Sequence, residues 1–338
     1  MPKYEASAFA PINIALAKYW GKRDARLNLP TNGSISITLD KFGSTTRVIF
    51  DETLEADVLV LNGEEVRTPE TLRKISIVLD ELRSIASTRF ARVPCARWRA
   101  RVLSQNNFPT AAGLASSASG IAALALAASH ALGLKLTPER LSELARRGSG
   151  SACRSLFDGF VEWKRGELAN GSDSVAASLH PASHWDLRAL IVVVDAEPKS
   201  RSSTGGMTSA RNSSPFFQSW IESAQATLGP IRDAIAARNF HALSRAAEEN
   251  CLRMHACAIS ASPSLLYWKP ATVALIHEAR KMRAEGVEVF FTIDAGPNVV
   301  IVATAAHAAA ARARLEVFLK NSGAALLETS PGRGAYVL

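Results

Sequence analysis

Asn107-Phe108-Pro109-Thr110-Ala111-Ala112-Gly113-Leu114-Ala115-Ser116-Ser117-Ala118 separates an alternating stretch from a long alanine-rich one. Upstream, Trp98, Ala100 and Val102 alternate with Arg97, Arg99 and Arg101, the period of a half-buried strand with a basic outer face. Downstream, Leu114 to Leu132 reads as a helix that ends at Gly133. A strand, a loop of small residues and a helix make a place where a ligand can approach the backbone. The free amides at the helix start attract phosphate, and the serine hydroxyls can add hydrogen bonds or hold a magnesium ion. No Gly-Lys-Ser/Thr occurs in the segment, so it is not a Walker loop. A tight strand-to-helix connection built from small residues explains the same letters without any ligand.

On the N-terminal side, Ser34-Ile35-Ser36-Ile37-Thr38-Leu39 alternates, as does Thr46 to Asp51. Asp57 to Leu61, Asn62-Gly63 and Glu64 to Val66 read as a hairpin, since Asn-Gly supplies two positive φ values. Pro69 opens a helix to about Ser87, with Leu72, Ile75, Val78, Leu79 and Leu82 at helical spacing. On the C-terminal side, Thr137 caps a helix whose first residue is Pro138. Leu190 to Val194 is continuously apolar, as in a strand covered on both faces. Helices are expected from about Pro215 to Asn239, from Phe240 to Cys257 and from Ala305 to Lys320. Strands are expected at Val287–Ile293 and Val299–Ala303, flanking a turn. The texture changes near residues 180–187, which is where a domain boundary is expected.

The 338 residues are 47% hydrophobic and 21% charged, an ordinary globular balance with room for two domains. No run of about 18 apolar residues occurs, so no membrane span is expected. The N-terminus lacks a signal-peptide layout, and a cytoplasmic protein is expected. Cys95, Cys153, Cys251 and Cys257 form no zinc-type array and read as reduced, structural thiols. The net charge of +8 is spread out. That suits a small polyanionic ligand better than a nucleic-acid track. Trp98 among arginines could stack on a base, but the period-two alternation accounts for it with no nucleic acid.

Three more segments carry polar groups where packing alone does not require them. Gly148-Ser149-Gly150-Ser151-Ala152-Cys153-Arg154-Ser155 ends in a guanidinium that fits carboxylate or phosphate, or else is a surface turn. In Asn13 to Asp24, the polar Asn13, Lys18 and Lys22 interrupt an apolar run, as strand-end lysines also would. In Thr292-Ile293-Asp294-Ala295-Gly296-Pro297-Asn298, Asp294 ends an apolar strand, and capping a turn is its plainer role.

Together these segments carry a resemblance. NIALAKYWGKRD (13–24), NNFPTAAGLASSASG (106–120), GSGSACRSLFDGFVEW (148–163), SSTGGM (202–207) and TIDAGPN (292–298) are similar to those of the diphosphomevalonate decarboxylase family. That family lies within the superfamily of small-molecule kinases that includes galactokinase, homoserine kinase, mevalonate kinase and phosphomevalonate kinase (GHMP). The matches run from residue 10 to 300, essentially the whole chain.

The resemblance implies an α/β (α+β) GHMP-kinase-like fold of two domains, residues 1–185 with the ATP-phosphate loop and 186–338 with the catalytic aspartate. Each domain would be a mainly antiparallel sheet with helices packed on one face, and the active site would lie in the interdomain cleft. The implied reaction uses ATP and magnesium to turn 5-diphosphomevalonate into isopentenyl diphosphate, ADP, phosphate and carbon dioxide. Asp294 matches the essential aspartate near the C3 hydroxyl. Lys18 matches the lysine beside it, and a neighbouring cation favours an ionised carboxylate, so orienting the hydroxyl counts beside deprotonating it. Arg154 and Asn13 match residues that hold the substrate carboxylate. Tyr19, Lys22, Ser149, Ser151, Ser203 and Met207 match positions around the substrate diphosphate. Asn107, Gly113, Ser116 and Ser117 fall in the ATP-phosphate loop, with magnesium placed near Ser117 and its ligands open. The partner is then a small phosphorylated mevalonate, with no nucleic acid and no membrane, in a homodimer.

One position departs from the pattern. Thr204 stands where many bacterial relatives carry arginine after the serine matched by Ser203, although Arg201 is near in sequence. A 5-monophosphate substrate is therefore an alternative. A 3-kinase that does not decarboxylate is another, against which stand Asp294, Lys18 and Arg154. A non-catalytic ligand sensor is a more distant one.

Overall fold

A computed structural model describes residues 4–89, 98–108, 116–195, 202–320 and 322–338. Arg97, Cys95, Gly113 and Arg201 lie outside the described residues, as does the rest of residues 109–115, on which the ATP-phosphate loop was expected. The first half of the chain runs β1 (Glu5–Ala17), β2 (Lys22–Asp24), β3 (Leu29–Pro30), β4 (Ser34–Asp51), β5 (Val58–Leu61), β6 (Glu64–Glu65), α1 (Pro69–Arg89), β7 (Arg99–Asn106), α2 (Ser116–Ala131), α3 (Pro138–Gly148), β8 (Phe160–Trp163) and β9 (Ala176–His180). The second half runs β10 (Leu187–Val193), α4 (Ser203–Ser213), α5 (Phe217–Ala236), α6 (Phe240–Ile259), α7 (Pro270–Ala284), β11 (Val289–Thr292), β12 (Val299–Thr304), α8 (Ala305–Leu319), β13 (Ala325–Thr329) and β14 (Tyr336–Val337).

Two main sheets result. The larger has eight strands, with the path β14-β1-β4-β7-β5-β6 and with β8 and β9 branching from β4. All its ladders are antiparallel except β5 with β7. The smaller has the order β11-β12-β10-β13 and is antiparallel throughout. The hairpin turn between β5 and β6 has positive φ at Asn62 and Gly63, as its sequence demands.

Both alternating segments near the N-terminus belong to one 18-residue strand, β4. Its alternation does not separate core from solvent: Ser34, Ser36 and Thr38 are as buried as Ile35, Ile37 and Leu39. The apolar set joins a core, and the polar set faces the Gly148–Asp158 segment. Thr38 Oγ1 donates to the Phe157 carbonyl at 2.8 Å.

The larger sheet buries Ala8, Val48, Ala100 and Val102 against α1, α2 and α3 in one cluster. A second cluster joins the sheets: Ile12, Leu16, Ile35 and Ile37 meet Ile191, Leu228, Ile231 and Leu243. A third packs Leu190 and Val192 with Leu275, Ala279, Ala308 and Leu315 of α7 and α8. From Ala189 to Val193 adjacent β10 residues thus enter different clusters, which is why that part of the strand is continuously apolar, while Arg188 near its start is half-exposed. Helices α4 and α7 were not expected from the sequence. SSTGGMTSARNS has two glycines and only a short apolar face, Met207 and Ala210, buried with Trp20 and Trp220; Ser202 Oγ caps its start, accepting from Gly205 N at 3.2 Å.

Candidate active site

The charged segments converge on one cleft of about 1480 Å³. Asn13, Lys18, Tyr19, Lys22, Ser116, Ser117, Ser149, Ser151, Arg154, Ser203, Met207 and Asp294 all line it. Asn107 is not among the described residues that line it: its Oδ1 accepts from Gly43 N and its Nδ2 donates to Lys41 O, both at 2.8 Å, which ties the residue after β7 to residues 41–43 of β4.

β1 delivers the first residues. Its ladder with β4 shifts register between Pro11 and Asn13 and again between Ala15 and Ala17. Such bulges re-aim side chains near functional sites. Beyond the second shift, Lys18 Nζ reaches Asp294 Oδ1 at 2.6 Å, with side-chain exposures of 2% and 36%. The lysine is therefore sunk in protein while the carboxylate looks into the cleft. Asp294 does more than cap a turn, since its side chain crosses to the other sheet's strand end.

Arg154 follows the short turn Gly150–Cys153 and is 3% exposed. Its Nε donates to Asn13 Oδ1 at 3.2 Å and Ser36 Oγ at 3.0 Å. Nη1 donates to Ser34 Oγ at 2.5 Å and Nη2 to Asn13 Oδ1 at 3.1 Å. Asn13 Nδ2 in turn donates to Ser155 Oγ at 2.8 Å and to the Ser151 carbonyl at 3.2 Å. All the hydrogen-bond partners of Arg154 are neutral. Burial pushes the guanidinium below its ordinary range, with Cys153, Asp294 and Tyr19 acting the other way. A buried cation satisfied only by neutral groups is an anion site in waiting.

Tyr19 packs its ring on Trp163, with centroids 4.7 Å apart. Its hydroxyl is buried with no hydrogen-bond partner among the described residues, and burial, then Cys153, raises its pKa far above the ordinary value. Gly150 is small because of that ring: a Cβ there would lie 2.6 Å from Tyr19 Cε1. Gly148 is small for another reason, since a Cβ would meet Val78 at 2.8 Å and Ile121 at 2.9 Å.

At the far end, Lys22 Nζ donates to Thr204 Oγ1 at 3.2 Å. The departing position noted in the sequence therefore touches a lysine of the site directly. Burial, then Lys74, lowers the Lys22 ammonium to about 8, with Glu70 opposing. The N-termini of α2 and α4 both open on the cleft, through Ser116 and Ser117 and through Ser202 to Thr204. First-turn amides at such helix starts suit phosphate, although at α4 the Gly205 N–H is already taken by Ser202 Oγ. Ser117 Oγ lies 3.5 Å from Ser149 Oγ, which puts the two serine segments side by side. Sequence reasoning missed the cleft face of α1, where Glu70, Arg73, Lys74, Asp80 and Glu81 lie. In sequence they are the polar side of an amphipathic helix, and nothing there separates a cleft from open solvent.

Comparison with known proteins agrees over the whole length. Residues 10–176 match the diphosphomevalonate decarboxylase-like N-terminal domain, and 189–330 match the mevalonate 5-diphosphate decarboxylase C-terminal domain. Diphosphomevalonate decarboxylase of Ganoderma lucidum is 42% identical over 320 residues, covering 91% of this chain and 80% of that one. The chain belongs to the diphosphomevalonate decarboxylase family.

The structural likeness is as extensive. MDDEF in complex with MVAPP, AMPPCP and magnesium superposes with a TM-score of 0.90 at 39% identity, over 99% of this chain and 98% of that one. The mevalonate diphosphate decarboxylase from Enterococcus faecalis, described for its mevalonate diphosphate-mediated ATP binding, gives 0.88 at 38%, with the same coverage. The GHMP-kinase-like fold expected of a family member is therefore present. No helix among the described residues is long and apolar enough to cross a membrane.

Proposed function

We propose that this chain catalyses the ATP-dependent decarboxylation of 5-diphosphomevalonate to isopentenyl diphosphate, releasing ADP, phosphate and carbon dioxide. The observation that carries the reading is the 2.6 Å Lys18–Asp294 pair, beside a buried Arg154 whose partners are all neutral. The substrate carboxylate supplies the anion that Arg154 and Asn13 lack. Held there, C3 comes to the Asp294 carboxylate, which accepts a hydrogen bond from the C3 hydroxyl and orients it for transfer. Lys18 Nζ stands on the same spot, as a fixed positive charge for the oxygen and phosphate that gather charge as the bond forms. After phosphorylation the C3–O bond breaks with loss of phosphate. The electrons of the bond to the carboxyl carbon then form the carbon–carbon double bond as carbon dioxide leaves.

Tyr19, Lys22, Ser149, Ser151, Ser203 and Met207 are assigned to the diphosphate end, where the hydroxyls and the ammonium supply donors. Ser116, Ser117 and the α2 amides are assigned to the ATP phosphates, with magnesium near Ser117. Gly113 is assigned to the same loop, and Asn107 would act on it through β4 rather than by touching nucleotide. Among the described residues no three His, Cys, Asp or Glu side chains gather as a metal site. Magnesium held mainly by phosphate oxygens and water, with a serine hydroxyl, fits that donor set. ATP supplies the phosphoryl group that makes C3 oxygen a leaving group. The division near residue 185 is supported by the two family matches, which end at 176 and begin at 189. The homodimer rests on the family resemblance, and light scattering in solution tests it.

Carboxyl-labelled substrate with ATP tests the reaction: label appears as carbon dioxide in step with ADP. A phosphorylated acid that builds up without gas would replace the decarboxylase by a 3-kinase. Asp294→Asn is expected to lower kcat by about a thousandfold with KM little changed, within the 10²–10⁴ range for a positioned proton-transfer group. The monophosphate alternative stands on Thr204, which offers Lys22 a hydroxyl rather than a second charge. The ratio of kcat/KM for the 5-diphosphate and the 5-monophosphate decides it, with the diphosphate expected to win.

A further inference from the structure

β11 is an edge strand of the smaller sheet, so among the described residues one side of its backbone has no strand to bond. Side chains of α6 take that place. Phe291 N donates to Glu248 Oε1 at 3.2 Å, and Ile293 N donates to Cys251 Sγ at 3.3 Å. His255 Nε2 lies 3.2 Å from the Ile293 carbonyl oxygen. Residues 248, 251 and 255 recur at helical spacing, so one stripe of α6 reads along β11 and the residue after it that lead to Asp294. The adjacent stripe reaches the other half of the pair. Asn250 Oδ1 accepts from Lys18 N at 2.7 Å, while Asn32 Nδ2 donates to Lys18 O at 2.8 Å. Thr292 Oγ1 closes the square, donating to Ala15 O at 2.9 Å.

We propose that α6 is the gauge that sets the Lys18–Asp294 distance, and that His255 and Asn250 are positioning residues for the reaction. The proposal rests on the reading of Asp294 as the group at C3. His255 is wholly buried, and burial lowers its pKa to about 4, so it is neutral and carries one N–H. A carbonyl oxygen faces Nε2, while Nδ1 has no partner among the described residues. The hydrogen therefore sits on Nε2 and points at the peptide that precedes Asp294. Asn250 and His255 are both fully buried. They act through the backbone of other residues, and neither needs to touch substrate.

The experiment compares kcat, both KM values and melting temperature for wild type, His255→Phe and His255→Gln. Phenylalanine keeps the ring volume without the donor; glutamine returns an amide N–H near the place of Nε2. Misplacing a reacting group by about 1 Å can cost about a hundredfold. His255→Phe is therefore expected to lose at least about tenfold in kcat, with both KM values within about twofold. His255→Gln is expected to recover to within about threefold of wild type, a split that a merely structural role would not give. Should His255→Phe fail to fold, His255→Asn, whose shorter amide withdraws the donor, is held to the same outcomes. Wild-type kcat in the donor-less variant, equal impairment of both variants, or a rise in KM in place of a fall in kcat would each overturn the proposal. Asp294→Asn separates the two levels. Normal turnover there removes the reading of Asp294 itself, whereas low turnover there beside an active His255→Phe removes the gauge alone.

Discussion

Lys22 is the residue whose chemistry changes within an accessible pH range. Its ammonium is lowered to about 8, first by burial and then by Lys74. It is charged below that pH and neutral above it. Free enzyme therefore loses a cation at the diphosphate end as pH rises through about 8, and the hydroxyl of Thr204 cannot replace the charge. KM for the diphosphate substrate is expected to climb above pH 8, while kcat, set at the Lys18–Asp294 end, stays level. The kcat/KM profile reports groups of the free enzyme, so the limb should appear there. In Lys22→Met, KM is higher throughout and that limb is gone. A profile for Lys22→Met that still climbs as wild type does would assign the limb to another group. The identity of such residues was legible in the sequence because Asn13, Lys18, Lys22 and Arg154 interrupt apolar or small-residue runs. Their contacts were not, since Lys18 and Asp294 lie 276 positions apart.

At the level of elements, periodicity located α1, α2, α5, α6 and α8 and the strands β10 to β12, because each buries an apolar stripe or run. It could not find α4, whose apolar face is short, nor say that the polar face of β4 lies under the Gly148–Asp158 segment. It located α6 but gave its polar residues no role, and Glu248, Asn250, Cys251 and His255 hydrogen-bond to two strand ends. Polar residues on a buried helix face were the available signal. The glycines of the Gly148–Arg154 segment were legible only as part of an anion site or a surface turn; the structure shows that they allow close approach of protein side chains. Gly150→Ala would place a methyl 2.6 Å from the Tyr19 ring. Overpacking of this kind costs about 1–3 kcal/mol, so the melting temperature should fall and KM for the mevalonate substrate should rise. Adding Tyr19→Leu relieves the clash and should restore stability without restoring KM, a coupling that a double-mutant cycle measures. If the two changes are additive in stability, the ring is not what keeps residue 150 small.

For the molecule as a whole, a core cluster of residues from both sheets, Ile12, Leu16 and Ile35 with Ile191, Phe290 and Val302, packs the larger sheet and the smaller one together. Arg154 is a buried cation that borders the cleft and hydrogen-bonds only to neutral groups. Removing a buried cation relieves its desolvation, while Asn13, Ser34 and Ser36 lose a donor but border a cleft that admits water. These terms oppose, and Arg154→Met is expected to melt within about 1 kcal/mol of wild type when empty. Ligand then discriminates. A molecule bound only by the native state stabilises it by about 2.7 kcal/mol at 100 times its Kd. Wild type should show that shift with the mevalonate substrate. Arg154→Met should lose it at the same concentration, because the carboxylate has no counter-ion, yet keep the shift given by magnesium and ATP, whose assigned contacts at the start of α2 are untouched. The measurement is thermal unfolding of both proteins, empty and with each ligand. An Arg154→Met protein that melts far below wild type when empty, yet keeps the full substrate shift, would make Arg154 a structural cation and send the carboxylate elsewhere in the cleft.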